Sequence, residues 1–357
     1  MIEIDGSFGE GGGQIIRTAI ALAAITGKEV EINNIRANRP KPGLAAQHLH
    51  AVKAVEKLSG GTTEGLELRS TRLKFAPAAL KGFEGEIDIG TAGSITLLLQ
   101  CLIPVALFAD EPMKVKIKGG TDVKWSPPID FYTDVFLRAI HEMGCDVQIS
   151  LKRRGYYPKG GGLVETRIAP LYSHCGALPH DPASPVRAYL KGIVLVKSER
   201  EGIIKGISHS CGLPAHVVER QAKAAERILN EKGYDADIKT EIENDGNRTT
   251  GSGITLWRGY KSGSALGERG KRAELVGEEA ARNVIKELES VSTVDVHLAD
   301  HLIPYIALAE GESEIKVREV TKHLETNVYV TKKFLDVEFV IEKEETKEGV
   351  VFVVRKE

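Results

Sequence analysis

The chain has 357 residues, of which 42% are hydrophobic and 27% are charged, and its formal net charge is −2. This length is enough for two or more domains with a substantial buried core. The nearly balanced charge excludes a protein that coats nucleic acid through a broad basic surface. It still allows a protein that holds a single nucleic-acid end with a few local arginines.

The cysteines and the apolar runs indicate in which cell compartment the protein is found. The four cysteines lie far apart without a CxxC pair, which predicts free thiols in a reducing environment; they are Cys101, Cys145, Cys175 and Cys211. The N-terminus enters a strand pattern rather than a secretory signal. The most apolar run, residues 95–109, is too short to span a bilayer and contains Gln100. We therefore expect a cytoplasmic protein without membrane contact.

Three segments of the chain follow one plan. An apolar helix is predicted at 14–23, 94–108 and 298–309, followed each time by a short strand at 30–32, 115–117 and 314–317. A more polar helix comes next, at 45–58, 129–143 and 327–335, and alternating strands follow it. The pattern predicts an α+β fold with a threefold repeat of a β-α-β-α-β unit, at about 1–80, 81–170 and 279–357.

An insertion separates the second and third units. Residues 172–185 are rich in His, Pro and Ser, which is typical of a linker. Strands are predicted near 192–196, 237–241 and 253–257, with helices at 214–232 and 273–289. We assign 184–278 to a small inserted α/β domain, and 1–183 with 279–357 to the repeat body.

Two glycine triplets stand out, since consecutive glycines are costly to order. The first lies in GEGGGQIIR at 9–17, directly before a predicted helix, a layout suited to phosphate binding. It lacks the Lys-Ser/Thr of a Walker A loop and the glycine spacing of a dinucleotide fingerprint. A plain β–α turn with a surface glutamate at Glu10 is the alternative. The second triplet lies in RGYYPKGGGLV at 154–164.

A stiff basic loop, RANRPKPGLAAQH at 36–48, runs into a helix that carries Gln47 and His48. Arginine binds phosphate through two parallel hydrogen bonds, which suits a nucleotide or a nucleic-acid end. A solvated loop is the alternative. Gln100 is a polar residue on an apolar helix, which fits either a nucleotide contact or a satisfied core glutamine.

The segment TKHLETN at 321–327 places His323 between a strand that ends near Val320 and a helix that begins near Asn327. A neutral imidazole carries a free lone pair near neutral pH and can attack phosphorus, and helix entrances favour anions. A surface histidine followed by a Thr326 helix cap is the alternative. In HLADHL at 297–302, His297 and His301 also have the i, i+4 spacing of zinc ligands, but no third ligand is evident nearby.

The string at 154–164 resembles the signature of the RNA 3′-terminal phosphate cyclase family. The similarity extends from Ile4 to about Val340, through the motifs at 9–17, 36–48, 90–100, 119–128, 297–302 and 321–327. The family is known for a threefold repeated domain that is distantly shared with the enolpyruvyl transferases.

The resemblance implies roles for individual residues. His323 would be the nucleophile that takes AMP, Asp300 would orient it, and Glu10 would bind Mg²⁺ or Mn²⁺. ATP and phosphate contacts would come from Arg17, Arg36, Arg39, Gln47, His48, Gln100, Pro127, His297 and His301. His301 replaces the usual Gln of the family motif, and His297 stands where some members have a Tyr near the adenine; both substitutions keep hydrogen-bonding ability.

The implied activity is that of a ligase-class enzyme that uses ATP to convert an RNA 3′-terminal phosphate to a 2′,3′-cyclic phosphate. It would proceed through histidine–AMP and RNA–pp–A intermediates. No Lys-x-Asp-Gly motif exists, which disfavours a lysine-adenylating ligase. The alternatives are an inert cyclase-like protein in ribosome assembly, an enolpyruvyl-type transferase, and an RNA-binding module that needs no nucleotide. The partners implied are ATP and RNA with a 3′-phosphate; monomer and homodimer both stay open.

Overall fold

The N-terminal sheet combines a parallel strand pair with an antiparallel hairpin. The computed structural model describes residues 1–171, 190–243 and 249–356. Its first elements are β1 (Ile2–Asp5), α1 (Gly13–Thr26), β2 (Val30–Asn33), α2 (Ala46–Ser59), β3 (Thr62–Glu64) and β4 (Leu73–Ala76). The strand order is β1-β2-β4-β3, with β1 parallel to β2 and the other neighbours antiparallel. Helix α1 supplies the crossover that a parallel pair requires.

The second sheet has the same strand order and the same directions. Its elements are β5 (Phe83–Asp88), α3 (Ile95–Leu107), β6 (Met113–Gly119), α4 (Ile129–Phe131), a π-helical turn (Tyr132–Phe136), α5 (Leu137–Glu142), β7 (Asp146–Arg153) and β8 (Gly162–Ala169). The order is β5-β6-β8-β7, and β5 and β6 are parallel. The expected polar helix at 129–143 is therefore interrupted by one π turn.

A smaller unit follows, with a core of its own. Its elements are β10 (Ile204–Cys211), α6 (His216–Glu231), β11 (Ala236–Glu243), β12 (Gly251–Arg258), β13 (Lys261–Leu266) and α7 (Ala273–Leu288), which come after the short strand β9 (Leu190–Lys191). The sheet order is β11-β10-β12-β13. Apolar side chains of α6 and α7 pack on this sheet to form a second core that extends from Ile204 to Leu288.

The third sheet is antiparallel throughout. Its elements are α8 (Val296–Leu308), β14 (Ala309–Glu310), β15 (Ser313–Val317), α9 (Lys322–Phe334), β16 (Phe339–Thr346) and β17 (Gly349–Lys356), and its order is β15-β17-β16. Beside β15, Val194 forms a parallel bridge to Glu314, and β9 pairs in parallel with β14. Residues 190–195 therefore pack with this sheet, although the sequence boundaries place them in the inserted domain.

The other predicted boundary, at 278/279, falls inside α7. Val276, Ala280, Val284 and Leu288 all belong to the second core, so α7 packs with the small unit along its whole length. Packing places that unit at about 204–288. The mixed α/β architecture with several sheets confirms the coarse prediction of the fold class.

Helices α1, α3 and α8 are almost entirely buried in the large core. Helix α1 is buried from Gln14 to Ala24 and packs against α3 and α9. Helix α9 begins five residues earlier than expected, because the Thr321 hydroxyl accepts a hydrogen bond from the Leu324 amide and caps it. Thr326 is not the cap; its hydroxyl donates to the Lys322 carbonyl inside the helix.

Two expectations from composition concern thiols and membranes. Cys101 and Cys145 are buried free thiols and Cys211 is buried, whereas Cys175 and the linker at 172–185 lie outside the described residues. In the part of the chain that the structure describes, no helix combines the length and apolarity needed to cross a bilayer.

Candidate functional site

A cleft of about 470 Å³ opens between the N-terminal ends of the core helices and the small unit. The body contributes Gln14, Arg17, Gln100, Pro127, His297, Asp300, His301 and His323 to its lining. The small unit contributes a wall that the sequence did not indicate, with Ser262, Ser264, Asn283, Lys286 and Glu287. Seven of the twelve predicted site residues thus meet in one cavity.

The ring of His323 is held by Gln14, a residue that the sequence analysis did not assign to the site. The Gln14 side-chain amide donates to the His323 backbone carbonyl at 2.9 Å. A carbonyl only accepts, so this bond fixes the amide with its oxygen towards the ring. His323 Nδ1 contacts that oxygen and must therefore donate its proton to it. The proton is held on Nδ1, and Nε2 keeps a free lone pair.

The surroundings of His323 favour its neutral form. Desolvation lowers the pKa of His323, with Arg17, His297 and Arg39 adding to the decrease, while Glu10 opposes it. The side chain is nevertheless 47% exposed, so Nε2 is accessible from the cleft. A neutral, oriented and accessible imidazole has the properties of a nucleophile.

Glu10 and Arg39 lie beside the free nitrogen. The Glu10 Oε2 atom is 4.0 Å from His323 Nε2 and 3.0 Å from Arg39 Nη2. Both side chains are more than a third exposed, so they remain accessible to a ligand. One carboxylate next to a phosphate site is a donor set that Mg²⁺ accepts, with nucleotide oxygens and water completing the coordination. Glu10 therefore fits the predicted metal role.

Gly13 of the glycine-rich turn must be a glycine because His48 lies directly against it. A Cβ atom on Gly13 would stand 2.0 Å from His48 Nε2, which only a glycine avoids. His48 is buried, its Nδ1 accepts from the Ala45 amide, and burial lowers its pKa to about 3. His48 supports the turn from below and is not among the residues that line the cleft.

Arg17 is a buried cation that faces the cleft. Its Nε donates to Gln100 Oε1 at 2.8 Å, which joins α1 to α3. Burial lowers the pKa of Arg17 to about 10, so the guanidinium stays charged at neutral pH. Among the residues that the structure describes, no carboxylate pairs with Arg17, and a buried arginine of this kind is suited to an anionic ligand. Gln100 is thus a positioning contact for that cation.

Asp300 reaches His323 through the cap of α9 rather than through the ring. The Thr321 hydroxyl donates to Asp300 Oδ1 at 2.5 Å, and Asn327 bonds both the Asp300 carbonyl and Thr18 of α1. Burial raises the pKa of Asp300 to about 8. Among the described residues, the side chain that hydrogen-bonds the His323 ring is Gln14 and not Asp300. Asp300 therefore fixes the helix that carries the histidine.

His297 and His301 face the cleft from α8. His301 is buried, its Nδ1 lies 3.2 Å from the Tyr132 hydroxyl, and burial lowers its pKa to about 3. Desolvation also lowers the pKa of His297. Among the described residues, no third metal ligand lies close to His297 and His301, so the structure does not support a zinc site there. Within the described ranges, the group close enough to share a metal is Asp122, Asp130 and His209, away from these two.

That second group is an ionic cluster built around Arg154, the first residue of the glycine-rich signature. The Arg154 guanidinium is 1% exposed and bonds Asp130 at 2.9 and 3.0 Å and Asp122 at 3.3 Å. Because the arginine occupies both carboxylates, a metal is disfavoured there. The cluster joins the second sheet to β10 and β11 of the small unit through His209 and Glu241.

Two remaining predicted residues lie outside the cleft lining. Arg36 has a left-handed backbone (φ 54°) and donates to the Gly43 carbonyl at 2.9 Å, which shapes the basic loop. Gln47 is half-buried on α2. Their assignment to phosphate stays a prediction, as does that of His48.

Comparison with known proteins gives one consistent result. A family model described as RNA 3′-terminal phosphate cyclase matches residues 8–341. Curated proteins of that name are similar over nearly their whole length. One from Archaeoglobus fulgidus is 49% identical, covering 94% of this chain and 96% of the relative. One from Methanosarcina mazei is 51% identical (97% and 98%), and one from Pyrococcus furiosus is 46% identical (100% and 99%).

Proposed function

Because this chain belongs to the RNA 3′-terminal phosphate cyclase family, we propose that it is an enzyme that uses ATP to close an RNA 3′-terminal phosphate to a 2′,3′-cyclic phosphate. We further propose that AMP passes through His323. The observation that carries this mechanism is the Gln14 amide, which bonds both the backbone and the ring of His323 and leaves Nε2 free.

In the first step, the Nε2 lone pair attacks the α-phosphorus of ATP. A P–N bond forms, the bond from that phosphorus to the bridging oxygen breaks, and pyrophosphate leaves with the electron pair. Nδ1 keeps its proton and donates it to Gln14, which stabilises the positive charge that develops on the ring. No other base is needed, because the attacking nitrogen carries no proton.

Cations around the cleft oppose the charge that accumulates on phosphorus. Arg17 is fixed by Gln100 and faces the cleft, and Arg39 lies next to Glu10. Preorganised charges in a partly desolvated site lower the barrier without reorganisation. Glu10 would hold a divalent ion that neutralises phosphate charge.

The second and third steps transfer AMP and then release it. An oxygen of the RNA 3′-phosphate attacks the adenylyl phosphorus, the P–N bond breaks, and neutral His323 is restored. The adjacent 2′-hydroxyl then attacks the RNA phosphorus and releases its proton to solvent. The phosphoanhydride bond from that phosphorus to AMP breaks, and AMP leaves with the electron pair. Activation is required because a phosphate dianion by itself lacks a good leaving group. Pro127, His297 and His301 would contact the nucleotide.

Uptake of label from α-labelled ATP tests the proposal. The wild-type protein should retain AMP after denaturation, with release by acid but not by alkali, as a phosphoramidate requires. His323→Ala should abolish the uptake. His216→Ala is the matched control, since His216 is exposed on α6 and does not line the cleft. Absence of uptake in the wild type with Mg²⁺ and with Mn²⁺ would refute the mechanism and favour a non-catalytic binding protein.

A further inference from the structure

An exposed tryptophan stands at the mouth of the cleft. Trp125 is 95% exposed, whereas the other tryptophan of the chain, Trp257, is 8% exposed. Large aromatic side chains are rarely left in water without a partner. Trp125 also belongs to the lining that contains Arg17 and His323. Its indole is therefore available to a ligand that enters the cleft.

The backbone holds Trp125 outward. Its φ is 62°, a left-handed conformation that is unusual for a bulky residue and that the surrounding loop must impose. The Ser126 hydroxyl donates to the Val123 carbonyl at 2.9 Å, and the Thr96 hydroxyl donates to the Pro127 carbonyl at 2.8 Å. These hydrogen bonds hold the residues on both sides of Trp125. The loop therefore keeps the indole exposed.

Exposed basic residues lie on the segment that the Trp125 loop contacts. Lys124 bonds Glu268 at 2.9 Å and so connects the loop to residues 267–272 of the small unit, where Arg269 and Arg272 are exposed. Tyr157, 76% exposed, lies on the neighbouring signature loop, which a bridge between Asp122 and Tyr156 joins to the Trp125 loop. Exposed aromatic rings combined with basic side chains are the usual means of binding single-stranded nucleic acid.

We infer that Trp125 is a stacking platform for a base at the 3′ end of the RNA substrate. The inference rests on the proposed function, which brings the RNA 3′-phosphate to His323. An indole can stack on the nucleobase of either ligand, because ATP carries a base as RNA does. The RNA is favoured because Trp125 is exposed at the rim, and Arg269 and Arg272, on the segment that Lys124 contacts, are exposed and do not line the cleft. They are therefore available to a strand that continues beyond the cleft. An enclosed mononucleotide would not use them.

Tryptophan fluorescence tests this assignment without any catalysis. A 3′-phosphorylated oligoribonucleotide, added without ATP, should quench the wild-type emission. Trp125→Phe should lose that quenching and keep the signal of buried Trp257. Quenching by ATP alone to the same extent would assign the platform to adenine and overturn the inference. Binding of the RNA, measured by anisotropy, without quenching would also overturn it.

Steady-state kinetics provide the second readout. Trp125→Ala should raise the KM for RNA about tenfold, the usual cost of a lost base–aromatic stack, and leave AMP uptake from ATP unchanged. Trp125→Phe should recover most of the affinity. Val350→Ala, an exposed apolar residue outside the cleft lining, is the control. An unchanged KM in Trp125→Ala would contradict the inference. If the wild type takes up no AMP, the proposed function fails, and the RNA titration still decides the role of Trp125.

Discussion

At the scale of single residues, one amide determines which nitrogen of His323 can react. Imidazole has two tautomers, and the free lone pair is on the nitrogen without the proton. Gln14 settles the choice because its NH₂ group is committed to the His323 carbonyl. Its oxygen then accepts the Nδ1 proton. The reactivity of the histidine thus depends on a side chain from α1, more than 300 positions away in the sequence.

Removal of that amide should slow AMP uptake while leaving the protein folded. In Gln14→Leu the ring can rotate and exchange tautomers, so we expect the rate of uptake to fall about 100-fold or more, as in other enzymes whose histidine loses its orienting partner. Gln14→Glu keeps an acceptor for Nδ1 and should retain more activity than the leucine variant. Single-turnover uptake of labelled AMP measures the rates. Equal rates in Gln14→Leu and wild type would contradict the orienting role.

The pH dependence of AMP uptake follows from the lowered pKa of His323. The attacking form is neutral, so uptake falls only when the pH drops through that pKa and the ring gains a proton on Nε2. Desolvation moves the pKa below its ordinary value of 6.5, and the acid limb should move with it. Single-turnover rates at saturating ATP should therefore stay constant at and above neutral pH, with a midpoint below 6.5. A midpoint above 6.5 would show that the ring is not desolvated as described.

At the scale of elements, the start of α9 positions both the nucleophile and its supports. The helix begins at Lys322, so His323 lies in its first turn. Thr321 caps the helix and also bonds Asp300 of α8. Asn327 ties α9 to α8 and, through Thr18, to α1. Three helices thus converge on one turn, which gives the histidine a fixed position.

Loss of the Thr321 hydroxyl should destabilise this turn. Thr321→Ala removes the cap of α9 and leaves the Asp300 carboxyl without its hydroxyl donor, so we expect the free energy of unfolding to fall by about 1 kcal/mol. Thr321→Ser should restore most of it. Urea unfolding at neutral pH gives the values. A Thr321→Ala variant as stable as the serine variant would show that the cap contributes nothing.

At the scale of the whole molecule, the cleft depends on how the small unit is attached. That unit supplies one wall of the cavity, and the Arg154 cluster bonds its β11 to the second sheet. Burial lowers the pKa of Arg154, but Asp122 and Asp130 more than offset this and hold it well above its ordinary value. The Tyr156 hydroxyl, 2.6 Å from His209 Nδ1, adds a second connection. We interpret the signature motif at 154–164 as the segment that attaches the small unit to the second sheet.

Replacement of the arginine tests that interpretation. Arg154→Met leaves two buried carboxylates without a cation, which should cost about 3–5 kcal/mol of stability. The triple variant Arg154→Met, Asp122→Asn, Asp130→Asn removes those charges and should recover part of the loss. Thermal unfolding compares the three proteins. A single variant that is as stable as the wild type would contradict the role of the cluster.

The sequence predicted much of this molecule because its signals are local. The apolar helices, the glycine-rich turns and the histidine motif each lie in a short segment, and seven of the residues assigned to the site meet in the cleft. Gln14 was missed because its role comes from a distant contact with His323. The cleft wall that includes Glu287 was missed because it depends on how the small unit packs against the rest of the chain. Helix α9 was predicted too short, since Thr321 and Thr326 are both plausible caps and only tertiary bonding to Asp300 distinguishes them. The threefold repeat stays a prediction.

The central claim is that His323 carries AMP, and tandem mass spectrometry of the adenylated protein tests it most directly. The protein is incubated with ATP and a divalent ion, digested at neutral to alkaline pH to preserve the phosphoramidate, and fragmented. We predict that AMP is located on His323, in the peptide of residues 323–332 that trypsin releases between Lys322 and Lys332. AMP on another histidine or on a lysine, with His323 unmodified, would contradict the account.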